Sequence, residues 1–377
     1  MGGREIVLTE KNIVKRAAKK TLCITLTAVL FAAGAVSAGA ADVTIDYGDT
    51  TLTFDRNSPV LANGDDAKIL REQDPFADAR FPDESLGSAP PLYVLNRTFL
   101  FEPVEISDEA ARDYADIVNS FAREVPEVNV YSMLMPDIYE VYAPTKYSTD
   151  QLRSIEYIYK QLEGVQPIDV VSALAEHAAD EKLYFYTDHH WTQRGAYYAW
   201  KAFMDMKGTE VPPLSEFREV NTYFTGSLGN LLSDEQKTLL DSTTEQFERF
   251  SPIYNTHAGV YRDAAMTSYI CDIEVLDLGY NSYMSFIKGD NALTVIDSDV
   301  GNGKSIAIIK ESFGNPIAVW AVNNYEKIYV IDIRGFKDGS FNIRDFYEMT
   351  HFDDLLIESY PATIAHDDLR GFIKTLL

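Results

Sequence analysis

The sequence predicts an α/β protein built on a mainly parallel sheet covered on both faces by helices. Three observations carry this. The 377 residues are 46% apolar, enough to bury a full core. From Leu92 onward, short apolar runs alternate with stretches of helical periodicity, the pattern of strand–helix–strand units. Finally, the residues suited to chemistry gather where apolar runs end, which is where parallel sheets place their sites.

The elements follow in order. Basic residues Lys11, Lys15, Arg16, Lys19 and Lys20 lead into the apolar run "LCITLTAVLFAAGAVSAGA", which closes on the small-x-small pattern Ala38-Gly39-Ala40. Residues 1–40 therefore read as an export signal. The run is also long enough for an uncleaved membrane anchor through residues 21–40. Either reading places the rest outside the cytoplasm, secreted or at the cell surface. Cys23 follows Lys20, Thr21 and Leu22, so it lacks the small residues that precede a lipid-modified cysteine. Beyond it only Cys271 remains, so no internal disulfide is expected. Residues 41–91, rich in Asp, Pro and Gly, read as an extended leader.

The domain proper is expected over 92–377. "ISDEAARDYADIVNSFAREV" has helical spacing with an Asp in its first turn, and "VNVYSMLMP" is an apolar strand ended by Pro136. The alternation continues as helix "STDQLRSIEYIYKQLEG", strand "PIDVV", helix "SALAEHAAD", strand "KLYFYTD" and helix "TQRGAYYAWKAFMDMKG". Between about 210 and 285 it lapses, and this segment reads as an insertion bordering the site. Strand "KSIAIIK", helix "NPIAVWAVNNY", strands "KIYVIDI" and "DDLLIES" and helix "HDDLRGFIKTLL" complete the chain.

Charge narrows the partners. With 33 basic against 58 acidic residues and net charge -25, the chain is repelled by nucleic acid and by anionic membrane surfaces. Membrane contact is expected only through the N-terminal segment.

Two constellations can carry chemistry. In "YTDHHWTQRGAYYAW", Asp188 and His190 are two apart where an apolar run ends, so extended backbone points both to one side and His189 away. An aspartate beside an imidazole fixes its tautomer and stabilises the imidazolium, as a general base requires. Thr192 is placed to cap the following helix, and Trp191 to wall the site from water. In "IAIIKESFGNPIAVW", Ser312 lies in a strand-to-helix turn, with Asn315 and Pro316 as an N-cap and N1 pair. Backbone amides after Ser312, at Gly314 and Asn315, can hold an oxyanion. "GDN" (Gly289 to Asn291) and "GSLG" (from Gly226) are either further oxyanion donors or simple turns. Asp332 and Arg334 read as a structural pair. Asp188, His189 and His190 can alternatively ligate a metal, though His177, His257, His351 and His366 show no metal-motif spacing. No cofactor is expected.

Together with "KESFGNPIAVWAVNNYEKIYVIDIRGF" and "VNVYSMLMPDIYEVY", the tetrapeptide Asp188-His189-His190-Trp191 resembles the bacterial DHHW proteins. These are similar to the periplasmic alginate O-acetyltransferases, whose domains are SGNH-hydrolase-like. The resemblance implies a three-layer sandwich. It also implies a triad in which Asp188 orients, His190 is the general base and Ser312 is the nucleophile, the Asp-x-His-Trp motif preceding the serine. His189 falls where the acetyltransferases vary, Glu311 stands where they carry an aspartate, and Asn291 is only a loose match for an oxyanion asparagine. The activity implied is serine-dependent acyl transfer or ester hydrolysis on a polysaccharide or cell-wall glycan, transfer requiring an acetyl-donor membrane protein. A catalytically idle glycan-binding module and a metal-dependent hydrolase are the alternatives.

Overall fold

Apolar runs with β-branched residues, such as "SIAIIK" and "KIYVID", bury both of their faces, and they form the middle of one eight-stranded sheet. The computed structural model describes residues 92–95, 97–142 and 149–377, with the backbone of strands 43–46, 51–54 and 84–85. The expected export segment and most of the leader lie outside the described residues. Among the described residues, no helix is long and apolar enough to cross a membrane.

Strands β1 (Val43–Asp46) and β2 (Thr51–Phe54) form an antiparallel pair, and β3 (Glu84–Ser85), β4 (Tyr93–Leu95) and β5 (Phe99–Phe101) a small antiparallel sheet. Helix α1 (Asp108–Glu124) starts at Ser107, whose side chain accepts from the Ala110 amide, and leads into β6 (Asn129–Leu134). There follow α2 (Ile138–Tyr142), α3 (Gln151–Tyr159), β7 (Val165–Ile168), α4 (Val170–Ala175) and α5 (Gln193–Met206). A β8 (Arg218–Phe224) and β9 (Glu245–Ser251) ribbon flanks α6 (Ser227–Leu231) and α7 (Asp234–Lys237). The rest is β10 (Thr256–Tyr261), β11 (Tyr269–Ile273), β12 (Leu293–Ser298), β13 (Ser305–Lys310), α8 (Gly314–Ala321), β14 (Lys327–Asp332), α9 (Ile343–Thr350), β15 (Asp354–Ser359), α10 (Pro361–Ala365) and α11 (Asp367–Lys374).

The main sheet has the order β11-β10-β12-β14-β13-β15-β6-β7. It is mixed, and the expectation of a mainly parallel sheet is corrected. Strands β14, β13, β15, β6 and β7 run parallel, whereas β12, β10 and β11 pair antiparallel. Parallel pairing needs a helical crossover, and the link from β10 to β11, residues 262–268, is too short to hold one, so these two strands pair antiparallel. Residues 210–285 thus supply two edge strands of the sheet as well as the ribbon.

Two further local expectations change. "KLYFYTD" is not a strand: its buried Leu183, Tyr184 and Phe185 lie in a loop that folds back on itself, with Phe185 N to His190 O at 3.1 Å and Thr192 N to Leu183 O at 2.8 Å. "PIDVV" ends as a strand at Ile168, because Asp169 accepts from the Ser172 amide and starts α4.

The chain moves from β13 to β14 through α8, then back across β13 to β15 through α9. Right-handed crossovers in opposite directions put α8 and α9 on opposite faces. Around α8 and α9 gather two helix groups, α5 with α4 and α8, and α1 with α3, α9, α10 and α11. A reversal of this kind opens a crevice at the carboxyl ends of the central strands, and Ser312 follows β13 there.

Candidate active site

Ser312 is carried by the turn between β13 and α8. That turn is tight: a Cβ on Gly314 would collide with the Lys310 side chain and approach Glu358 Oε2 to 2.9 Å. Helix α8 begins at Gly314 with Phe313 as its N-cap residue, so Asn315 does not serve as the cap. Its side chain instead accepts from Lys310 Nζ (2.7 Å) and donates to Asp290 Oδ1 (3.1 Å).

The loop 183–192 brings its residues to Ser312. His190 Nε2 lies 2.7 Å from Ser312 Oγ, and His190 Nδ1 lies 2.6 Å from Asp188 Oδ1. Asp188 is buried, and its second oxygen accepts from the Ser227 amide at 2.6 Å. Burial would raise this carboxyl, but the beside-lying His190, its hydrogen bond, His189 and the Ser227 amide hold it well below the usual carboxylate range. Asp188 is therefore an anion that orients His190. Trp191 is buried and donates from Nε1 to the Phe313 carbonyl at 2.9 Å, tying the loop to the serine turn. Thr192 caps α5 as its sequence position predicts, accepting from the Gly195 amide.

His189 does not point away from the site. Its ring centroid is 3.9 Å from that of His190, its Nδ1 is 2.9 Å from Ser227 Oγ, and 38% of its side chain is exposed. The backbone here bends rather than extends, which removes the alternation of sides. Burial of its inner side, then the neighbouring His190, pushes His189 down to about 3, so it stays neutral.

Among the other candidates, Gly226 abuts the triad: an added Cβ would lie 2.5 Å from Asp188 Cβ and collide with the Thr187 carbonyl. Only glycine lets the Ser227 amide reach Asp188. Gly289 (φ +85°) and Asn291 are turn residues, with Gly289 N bonded to Phe286 O and Asn291 Nδ2 to Ile287 O. The amides of Phe313, Gly314, Asn315, Gly226 and Gly289 are all engaged in hydrogen bonds. The Ser312 amide makes none among the described residues. Asp332 and Arg334 do form a bidentate pair (2.8 and 2.7 Å), which Lys310 and Asp290 join.

Several residues that hold the site were not singled out from the sequence. Tyr283 stacks on the His190 ring at 3.8 Å and 13°. Glu245, on β9, accepts from the amides of Tyr186 (2.8 Å) and Thr187 (2.6 Å) and bonds Lys182, clamping the loop. Glu311 accepts from the Phe313 and Tyr360 amides, with Glu358 buried beside it. Nothing local in the sequence marks Tyr283, Glu245 or Glu358.

Asp188, His189 and His190 place ligand atoms within 4.8 Å of one another and, among the described residues, form the group that can hold a metal. Both His190 nitrogens are already bonded, to Asp188 and Ser312, so a metal at His190 would have to break that chain of bonds.

Fold and site together define an α/β protein with a Ser-His-Asp arrangement in a switch-point crevice. The chain belongs to the DHHW protein family, whose model matches residues 44–331. It resembles the crystal structure of a DHHW family protein from Eubacterium siraeum, with 25% identity and a TM-score of 0.64, covering 77% of this chain and 96% of that one. It shares its fold with Bacillus cereus PatB1, at 16% identity and a TM-score of 0.59, over 76% of this chain and 99% of PatB1. PatB1 bearing a sulfonyl adduct matches equally, with a TM-score of 0.59. No curated protein matches the chain.

Proposed function

We propose that this chain is an exported serine-dependent O-acyl transferase or esterase acting on a cell-surface or extracellular glycan. The observation that carries the reading is the continuous hydrogen-bonded chain from Asp188 through His190 to Ser312. Ser312 Oγ attacks the carbonyl of an acetyl ester while His190 Nε2 takes the hydroxyl proton. The carbonyl oxygen becomes an anion facing the free Ser312 amide, and collapse expels the alcohol, which receives the proton from His190. A sugar hydroxyl or water then gives its proton to His190 and attacks the acyl-enzyme, and collapse releases the acylated product as Ser312 Oγ leaves and takes the proton back from His190. The acceptor decides between transfer and hydrolysis. Export rests on the basic and apolar segment 1–40. Transfer would draw its acetyl group from a donor membrane protein.

Mass spectrometry of residues 42–377 after incubation with an activated acetyl ester tests the reading. An acetyl adduct on Ser312, lost in Ser312→Ala and His190→Ala, is expected. Folded protein that gives neither adduct nor turnover would leave a glycan-binding module instead. A sulfonyl fluoride is a second probe, since PatB1 has been obtained with a sulfonyl adduct.

A further inference from the structure

A cavity of about 290 Å³ opens beside His189, at the carboxyl ends of β6 and β15. Its polar wall is made of Glu102, Asp137, His189 and His366, and its aromatic wall of Tyr139 and Tyr360. Tyr360 stacks on Phe313, the neighbour of Ser312, at 4.7 Å and 18°, so the cavity and the nucleophile share a wall. His189 joins them on the other side, its ring against His190.

The charge of this cavity is one-sided. Among the described residues that line it there is no lysine or arginine. Arg334, the cation at the crevice, is already held by Asp332 and Asp290, and Lys310 is buried against the same two carboxylates. Acceptor oxygens and a neutral imidazole receive hydroxyl and amine donors, and a tyrosine ring takes the C–H face of a pyranose. A carboxylated sugar would meet the Glu102 and Asp137 carboxyls with no arginine among the described lining residues to receive it.

We infer that this cavity is the sugar subsite of the proposed active site and that it takes neutral or amine-bearing sugars and rejects uronates. The inference rests on the glycan reading above. It departs from the uronate polymer that the resemblance to alginate enzymes suggests.

The test is calorimetric titration of the exported chain carrying Ser312→Ala, at pH 7.5, with three probes: chitotetraose, its deacetylated tetramer and tetragalacturonate. The uronate is expected to bind at least about tenfold more weakly than the other two, and raising the salt should narrow that gap. Glu102→Gln should narrow it severalfold, and Tyr360→Ala should weaken chitotetraose with the gap retained. Equal affinity for the uronate, no binding of any sugar, or indifference to both substitutions would overturn the inference. The Ser312 adduct is read separately on the unsubstituted chain. An adduct without sugar discrimination sinks the subsite and spares the enzyme, whereas discrimination without an adduct spares the subsite and sinks the enzyme.

Discussion

Glu358→Gln should remove a pH-dependent loss of stability that is built in beneath the nucleophile. Glu358 and Glu311 are 1% and 3% exposed, and neither Glu358 oxygen has a hydrogen-bond donor. Glu311 is already committed, with one oxygen accepting from the Phe313 amide (3.0 Å) and the other from Tyr360 (3.2 Å). Contact between the two carboxyls becomes a hydrogen bond only when one carries a proton. Burial, then repulsion from Glu311, pushes Glu358 well above its ordinary value, and burial raises Glu311 as well. The pair holds one proton that the unfolded chain releases near the ordinary glutamate value of about 4.3. An acid raised by folding contributes stability that is complete below the unfolded value and lost as pH climbs through the folded one. Each retained proton lowers stability by about 1.4 kcal/mol per pH unit, so about 3 kcal/mol between pH 5 and 7. The glutamine amide donates to Glu311 at every pH and abolishes that slope. Asp137, raised to about 7, adds a slope of the same sign, and His189, lowered to about 3, one of the opposite sign below its unfolded value. Both are present in both proteins and cancel in the difference. Urea unfolding at pH 5, 6, 7 and 8 should show the variant gaining about 3 kcal/mol on wild type from pH 5 to 7. Parallel stability curves would refute the shared proton.

Gly226→Ala, by driving a Cβ into Thr187 and Asp188, should displace the Ser227 amide and cut turnover of an activated acetyl ester about 100-fold. Wild-type turnover in a folded variant would dismiss that role for the glycine. Tyr283→Phe deletes a buried hydroxyl that has no partner and keeps the ring on His190, so stability should rise by about 1 kcal/mol with activity retained. Tyr283→Leu, losing the stack, should lower turnover about tenfold, a result read from kcat in the same ester assay. Lys310→Met leaves Asp332 and Asn315 without their buried ammonium partner and should cost about 3–5 kcal/mol in denaturant unfolding. Incubation with EDTA should leave ester turnover unchanged, because the His190 nitrogens are taken by Asp188 and Ser312; loss that zinc restores would return the metal reading.

The sequence carried the parts of this molecule that are local. Amphipathic spacing in "DEAARDYADIVNSFARE" and the cap at Thr192 are written within a few residues, and they appear where expected. The strand–turn–helix around Ser312 is equally local. Burial without periodicity misleads: Leu183, Tyr184 and Phe185 are apolar because a folded-back loop is packed on all sides, and a buried strand has the same composition. Sheet direction is not local at all, so the antiparallel edge of β12, β10 and β11 left no mark on the residues that form it. The same holds for Glu245 and Tyr283, which lie 55 or more residues from His190 and act only through the fold.

That division explains how the tetrapeptide loop holds Asp188, His190 and Trp191 in place. A histidine and an aspartate held on a strand would be fixed by its ladder, but among the described residues loop 183–192 has a single β-bridge, Tyr184 with Trp191, and a few separate backbone bonds such as Leu100 N to Tyr186 O and Gly229 N to Thr187 O. The remaining constraints come from side chains and caps. Asp188 is held by the Ser227 amide, and its backbone neighbour Thr187 by Glu245. His190 is clamped between Asp188 and the Tyr283 ring. Trp191 supplies the remaining link, across 122 residues, by donating to the carbonyl beside Ser312. If that bond sets the 2.7 Å approach of His190 to Ser312, then removing the indole N–H must loosen base and nucleophile together. His189, the residue free of that task, faces the cavity lined by Glu102, Asp137 and Tyr360.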